Sequence, residues 1–221
     1  MRVLTLSDIQ IPFIYSSNIG ERFCGVDLVI GCGDLNYYYL EFIVSALNVP
    51  TFFVRGNHAQ ETEYTTVGLR NAPLGAVDLH RRSINHNGLL MAGIEGSGRY
   101  REGPYQYTQE QMWTFVLGLA PFMLLNRLRY GRFLDIFVTH APPWGIHDQP
   151  DLPHQGIKAF NWFIHQFKPA YHFHGHIHVY HPDTVTESMV GNTRVINTFG
   201  YRETILFPGQ KHKPDEEYSS N

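Results

Sequence analysis

Residues 27–34 read DLVIGCGD, an apolar run followed by a glycine and a carboxylate. The run lacks polar alternation, which is typical of a strand buried on both faces of a sheet. Gly33 lies directly before Asp34, at a point where the backbone must turn sharply or approach another group closely. The stretch therefore predicts a buried strand whose carboxyl end presents Asp34 to a site at the sheet edge.

Four other segments repeat this pattern of an apolar run that ends in a polar, chemically useful side chain. The runs are 2–6 before Asp8, 51–54 before Gly56 and Asn57, 134–138 before His140, and 170–173 before Gly175, His176 and His178. A single Asp or His at a strand end is usually a cap, a turn former or a core residue. Five such endings, which parallel strands would bring to one edge, predict a shared site.

Helical periodicity separates several of these runs. It covers residues 37–47, 109–128 and 157–167, with Thr108 as N-cap of the second helix and Pro121 expected to kink or split it. Alternation of strand and helix predicts an α/β fold.

Two segments, 82–94 and 184–207, differ from the others because they resemble hairpins. Asn87-Gly88 and Gly191-Asn192 supply turn residues that tolerate positive φ. We therefore expect a parallel part and an antiparallel part, arranged as two packed sheets.

Length and composition indicate the number of domains and the classes of partner. The chain has 221 residues, of which 43% are apolar and 17% charged, so we predict one domain over residues 1–209 and a polar tail over 210–221. The net charge of −3 and the lack of a basic run disfavour nucleic acid as partner. Thirteen histidines make metal binding or acid–base chemistry an early hypothesis.

Location is predicted from the short apolar stretches and the cysteines. The opening apolar stretch is too short for a signal peptide, and the longest run, 115–125, is too short to span a bilayer. Cys24 and Cys32 are too few for a disulfide framework and are expected to be buried, reduced residues. We therefore expect a soluble cytoplasmic protein without membrane contact; the sequence predicts no oligomeric state.

The five polar endings also resemble a known family. The order Asp8, Gly33-Asp34, Gly56-Asn57-His58, His140 and Gly175-His176-Ile177-His178 is similar to the five-block pattern of the calcineurin-like metallophosphoesterases, over about residues 2–200. The resemblance implies a four-layer α/β/β/α sandwich of two mixed sheets and a metal-dependent phosphoric ester hydrolase. Residues 139–143, Asp148 and His154 resemble a prokaryotic branch related to cyclic-AMP phosphodiesterases, which implies phosphodiester or cyclic-nucleotide substrates.

The resemblance also implies a role for each matching residue. Asp34 would bridge two divalent ions; Asn57, His140 and His176 would complete one site, and Asp8, His178 and Gln10 the other. His58 would contact the phosphate or protonate the leaving oxygen. Mixed oxygen and nitrogen donors suit Mn, Fe or Zn. Two such ions would activate a bridging hydroxide that attacks phosphorus.

Two positions depart from the family pattern. Gln10 stands where the family usually has a histidine ligand, and Ala59 where many relatives carry an acidic residue that orients the catalytic histidine. Gln10 implies a weaker metal site at Asp8, His178 and Gln10, an altered metal preference, or the binding of a single ion. The alternative hypothesis is a weakly active or non-catalytic relative that binds a metal or a nucleotide without cleaving it. A nuclease would need a partner to supply positive surface.

Overall fold

Two mixed β-sheets form the centre of the fold. A computed structural model of the protein describes residues 1–65 and 68–209; the predicted tail over 210–221 lies outside the described residues. The strands of the described part are β1 (Arg2–Ser7), β2 (Leu28–Cys32), β3 (Thr51–Val54), β4 (Glu63–Thr65), β5 (Gly68–Arg70), β6 (Ala76–Asp78), β7 (Ser83–His86), β8 (Leu89–Ile94), β9 (Ser97–Gly98), β10 (Gln106–Tyr107), β11 (Ile136–Thr139), β12 (Tyr171–His174), β13 (Glu187–Val190), β14 (Thr193–Asn197) and β15 (Gly200–Ile205). The helices there are α1 (Ile19–Arg22), α2 (Tyr37–Leu47), α3 (Gln109–Tyr130) and α4 (Lys158–Phe167), with a 3₁₀ turn at Leu152–His154.

The first sheet has the order β15-β1-β2-β3-β6 and the second the order β13-β14-β12-β11-β8-β7. Strands β1, β2, β3 and β6 are parallel, as are β14, β12, β11 and β8, whereas β15, β13 and β7 run antiparallel to their neighbours. The expected parallel and antiparallel parts are therefore confirmed. The segment 184–207 is more than a hairpin, since its last strand, β15, pairs with β1 in the other sheet.

The apolar core forms three clusters that define the layers. Between the sheets, Ile30 and Val54 of the first pack in one cluster with Met91, Val138 and Phe173 of the second. The outer face of the first sheet is covered by α1 and α2, and that of the second by α3 and α4. The predicted four-layer α/β/β/α arrangement of two mixed sheets is confirmed.

Helix α3 starts and ends on capping residues. The Thr108 side chain accepts a hydrogen bond from the Gln111 N–H, and the Gln111 side chain accepts one from the Thr108 N–H, which makes a capping box. The helix is one element through Pro121 and ends at Gly131 in the left-handed region, so of the two expected effects of Pro121 the split is wrong, and the kink stays a prediction. Pro121 is exposed, and water can bond the carbonyl that lacks its helical partner.

The two cysteines differ in exposure. Cys32 is buried in β2, where burial raises the pKa of its thiol to about 12. Cys24 is exposed, because it lies in the turn that follows α1, and the expectation of burial is wrong for it. Among the described residues, we find no helix with the length and apolar character to span a membrane.

Candidate metal centre

The carboxyl ends of five strands meet at one edge of the sandwich. Asp8 follows β1, Asp34 follows β2, and Asn57 follows β3, while His140 and His176 follow β11 and β12 of the second sheet. The two sheets are joined at this edge because the His176 N–H donates to both oxygens of the Asp8 carboxylate, at 2.9 and 3.1 Å. The sequence prediction that these endings converge is thus reproduced by the fold.

His140 is the centre of the most buried part of the site. Its Nδ1 donates a hydrogen bond to the Cys32 carbonyl at 2.9 Å, which directs Nε2 into the site. This Nε2 lies 2.9 Å from Asn57 Oδ1 and 3.1 Å from Asp34 Oδ2. Asp8, Asp34 and His140 each present a donor atom within 4.8 Å of the others. Two oxygens and a nitrogen, each able to hold a cation, therefore converge in the protein interior.

The electrostatics of this cluster favour a positive charge between its members. Burial lowers the pKa of His140, but the carboxylates of Asp34 and Asp8 outweigh burial and raise it to about 9. Burial raises the pKa of Asp34, but His140 and the His58 N–H outweigh it and lower that pKa to about 2. A proton on His140 Nε2 thus occupies the position that a metal ion would take. The donor set fits a divalent ion.

Glycines make this convergence sterically possible. A Cβ at Gly33, whose φ is +96°, would lie 2.3 Å from His140 Nδ1. At Gly56 a Cβ would lie 2.1 Å from Asp34 Oδ1, and at Gly175 it would lie 2.8 Å from Asp8 Oδ2. Any larger residue at these positions would displace a carboxylate or the imidazole, which explains the glycines beside Asp34, Asn57 and His176.

The backbone is also unusual at several predicted ligands. Asp8, Asp34 and His176 have φ of 69°, 54° and 70°, in the left-handed region that residues with a Cβ rarely adopt. Such conformations cost about 1–3 kcal/mol each and concentrate at functional sites. Here they turn the chain at the strand ends so that the side chains face one another.

His176 and His178 differ in how they are held. The His176 ring lies 4.9 Å from the His140 ring, and its Nε2 donates to the Pro153 carbonyl at 2.8 Å, which leaves Nδ1 with a free lone pair. Burial lowers the pKa of His176 to about 3, so the ring is neutral at neutral pH, as a metal ligand must be. His178 is exposed, with Nε2 3.9 Å from Asp8 Oδ1.

A cavity of about 260 Å³ opens over these groups. Its lining includes Asp8, Gln10, Asp34, Tyr39, His58 and His178. The backbone N–H of His58 donates to Asp34 Oδ1 at 2.8 Å, so the loop that carries this histidine is tied to the central carboxylate. All seven predicted ligands and His58 therefore lie around one site. Their roles as ligands and as catalytic residue stay predictions.

Several contacts at the site were missed by sequence reasoning. The Tyr38 hydroxyl donates to Gln10 Oε1 at 2.8 Å, and the Tyr100 hydroxyl accepts from Asn57 Nδ2 at 3.2 Å. Tyr38 is exposed on α2, soon after Asp34 in the chain, whereas its neighbours Tyr37 and Tyr39 are buried. The position of Tyr38 four residues after the predicted ligand Asp34 is the sequence feature that could have indicated that it lies at the site.

Known proteins resemble this chain in both sequence family and fold. The family described as calcineurin-like phosphoesterase matches residues 1–180. One solved structure superposes with a TM-score of 0.60 at 16% identity, covering 91% of this chain and 93% of the other. The crystal structure of TT1561 of Thermus thermophilus superposes with a TM-score of 0.57 at 15% identity, covering 90% and 89%. At such identities the superpositions show a shared fold alone. No curated protein matches the chain.

Proposed function

Because the chain belongs to the calcineurin-like phosphoesterase family, we propose that it hydrolyses phosphodiesters, including cyclic nucleotides, with two divalent metal ions. Membership of the family supports a metal-dependent phosphoester hydrolase in general. The observation that carries the proposal for this chain is the buried convergence of Asp34, Asn57 and His140 on one point. When bound there, such ions would neutralise phosphate charge and lower the pKa of a water molecule.

The proposed ligands divide into two sets that share Asp34. Asn57 Oδ1 and His140 Nε2 would hold one ion together with Asp34 Oδ2, and the neutral His176 ring beside His140 would complete it. A separate set consists of Asp8, His178 and Gln10, which line the cavity side of Asp34. Mixed oxygen and nitrogen donors favour Mn, Fe or Zn over Mg or Ca.

His58 is proposed to act on the substrate. It lies at the cavity, exposed, on the loop whose backbone N–H is bonded to Asp34. From this position its side chain could contact a phosphate oxygen or give a proton to the departing alkoxide. The cavity volume of about 260 Å³ favours a small phosphate ester or nucleotide.

The test of the proposal is hydrolysis of bis(p-nitrophenyl) phosphate by the purified chain. We expect turnover with Mn²⁺, its loss after treatment with a chelator, and its return when Mn²⁺ is added back. Elemental analysis of the same preparation should find up to two ions per chain. A chain that binds no metal and releases no nitrophenolate under any of these conditions would contradict the proposal.

The alternative, a relative that binds without efficient catalysis, is favoured by one observation. The amide oxygen of Gln10, a weaker donor than an imidazole, is already hydrogen bonded to the Tyr38 hydroxyl. A neutral ligand that already accepts a hydrogen bond from another side chain would bind the ion at Asp8, His178 and Gln10 weakly.

We expect Gln10→His to separate the two hypotheses. If the chain is an enzyme limited by weak metal binding at Asp8, His178 and residue 10, the imidazole should raise the Mn²⁺ affinity of that site about tenfold or more. The rate at low Mn²⁺ should then rise by a similar factor. Isothermal titration and the nitrophenyl assay measure both effects. Gln166→His on the exposed side of α4 is the matched control. Gain of affinity without gain of rate would favour the non-catalytic alternative.

A further inference from the structure

The outward side of α3 is apolar. We call the exposed residues Leu117, Pro121, Leu124, Leu125 and Leu128 the outer face of α3; the four leucines are 50%, 58%, 41% and 84% exposed in chain order. Their spacing of three and four residues places them on one side of the helix. The opposite side, with Met112, Val116, Leu119 and Met123, is buried against the second sheet. The helix thus has two apolar faces, of which one is uncovered.

The distribution of charge on α3 strengthens this observation. Residues 111–126 contain no charged side chain, although a surface helix normally carries charged residues on its solvent side. The charges lie at the two ends: Glu110 in the first turn, and Arg127 and Arg129 in the last. A helix that is apolar on both sides is typical of one buried on both sides, which indicates that the outer face is covered in the working protein.

We propose that a second copy of this chain covers the outer face, with the two α3 helices antiparallel across a two-fold axis. In that arrangement the acidic first turn of one helix lies opposite the basic last turn of the other, so Glu110 meets Arg129 twice. The same patch serves both partners, as an isologous interface requires. The charge pattern is therefore complementary to itself when one copy is reversed.

Other occupants fit the outer face less well. A membrane-surface helix relies on Lys and Arg along its polar side, whereas residues 111–126 have none and Glu110 lies on the exposed side of the helix. The segment 210–221 contains no Leu, Ile, Val, Phe or Met, and so lacks the side chains needed to cover four leucines.

The area that the proposed dimer would bury indicates weak association. If the whole 22-residue helix, about 33 Å long and about 12 Å wide, took part in the contact, two copies would bury at most roughly 800 Å² in total. That area lies below the roughly 1,200–2,000 Å² of stable interfaces and in the range of weak, transient ones. We therefore expect a dissociation constant in the micromolar range.

Sedimentation velocity of the full chain, from about 1 to about 300 µM, tests the dimer. We expect a concentration-dependent monomer–dimer equilibrium that the double variant Leu124→Glu, Leu128→Glu weakens at least about tenfold. The matched control replaces two exposed leucines elsewhere, Leu69→Glu with Leu74→Glu, and should leave the equilibrium unchanged. Thermal melting of each variant separates loss of association from loss of folding.

Charge exchange tests the antiparallel orientation. Glu110→Lys alone and Arg129→Glu alone should each weaken the dimer about three- to tenfold, and the two changes combined should restore it, since each symmetric pair is then opposite in charge again. Several results would overturn the proposal: a monomer at every concentration, a dimer indifferent to the leucine changes, or no restoration by the charge exchange. So would dimerisation that appears only after residues 210–221 are removed, or binding of the chain to anionic lipid vesicles that the leucine variant abolishes.

Discussion

Asp34→Asn should lower metal-dependent phosphodiester hydrolysis by at least about 10³-fold, equivalent to about 4 kcal/mol of transition-state stabilisation. The two oxygens of Asp34 have different partners: Oδ1 accepts the His58 N–H at 2.8 Å, and Oδ2 lies 3.1 Å from His140 Nε2. Asparagine keeps the size, its Oδ1 can still accept from the His58 N–H, and its amide can donate to His140 once that ring has lost the Nε2 proton. It removes the negative charge that would lie between two cations, so metal binding and hydrolysis should both be lost although the size of the side chain is kept.

Metal binding and thermal melting identify the cause of that loss. Isothermal titration should show that Asp34→Asn binds Mn²⁺ far more weakly than the wild-type chain. Asp183→Asn, at an exposed carboxylate, is the matched control and should bind and turn over normally. If Asp34→Asn kept both Mn²⁺ affinity and rate, the central role proposed for this carboxylate would be wrong.

In the metal-free chain, the pH dependence of the melting temperature tests the interaction between Asp34 and His140. The pKa of Asp34 is lowered from 3.8 to about 2, so its contribution to stability is present above about pH 4 and is lost as the pH falls through 2. The pKa of His140 is raised from 6.5 to about 9, so its contribution is present below pH 6.5 and is lost as the pH rises through 9. The melting temperature of the metal-free wild type should therefore fall between pH 6.5 and 9, and that of Asp34→Asn should fall less.

Local sequence patterns were sufficient to predict the strands that carry the site. Each ligand-bearing run is apolar and ends in glycine, Asp, Asn or His, and the rule that parallel strands share a carboxyl edge then places the endings together. Helix α2 has the predicted bounds, because its apolar spacing is regular and it ends at Asn48 in the left-handed region. The layers followed from the family resemblance, and the core clusters agree with them.

Contacts between distant loops could not be predicted in this way. Tyr38 and Gln10 are 28 residues apart and Tyr100 and Asn57 are 43 apart, and neither pair has a periodic signature. The Pro153 carbonyl that holds His176 belongs to the 3₁₀ turn Leu152–His154, whose position depends on packing. Such contacts arise only once the sheets bring their loops together, so a single sequence gives the type of each residue but not its partner.

His58→Ala should slow hydrolysis of an alkyl or phenyl phosphodiester about 10²- to 10⁴-fold, the usual contribution of a positioned general acid. The side chain is exposed at the cavity, and its loop is attached to Asp34 through the backbone N–H, which alanine retains. Metal content should therefore stay at the wild-type level, as elemental analysis can check. His165→Ala, at an exposed histidine of α4, is the matched control and should retain full activity.

The leaving group separates the two roles considered for His58. A nitrophenolate departs readily without a proton, whereas an alkoxide needs one, so loss of a general acid should affect bis(p-nitrophenyl) phosphate much less than the alkyl ester. Loss of a phosphate contact should slow both substrates equally, because the phosphoryl group is the same in each. A larger loss on the alkyl ester thus supports proton donation from His58, and equal losses support a phosphate contact instead. Wild-type rates on both esters would contradict both roles.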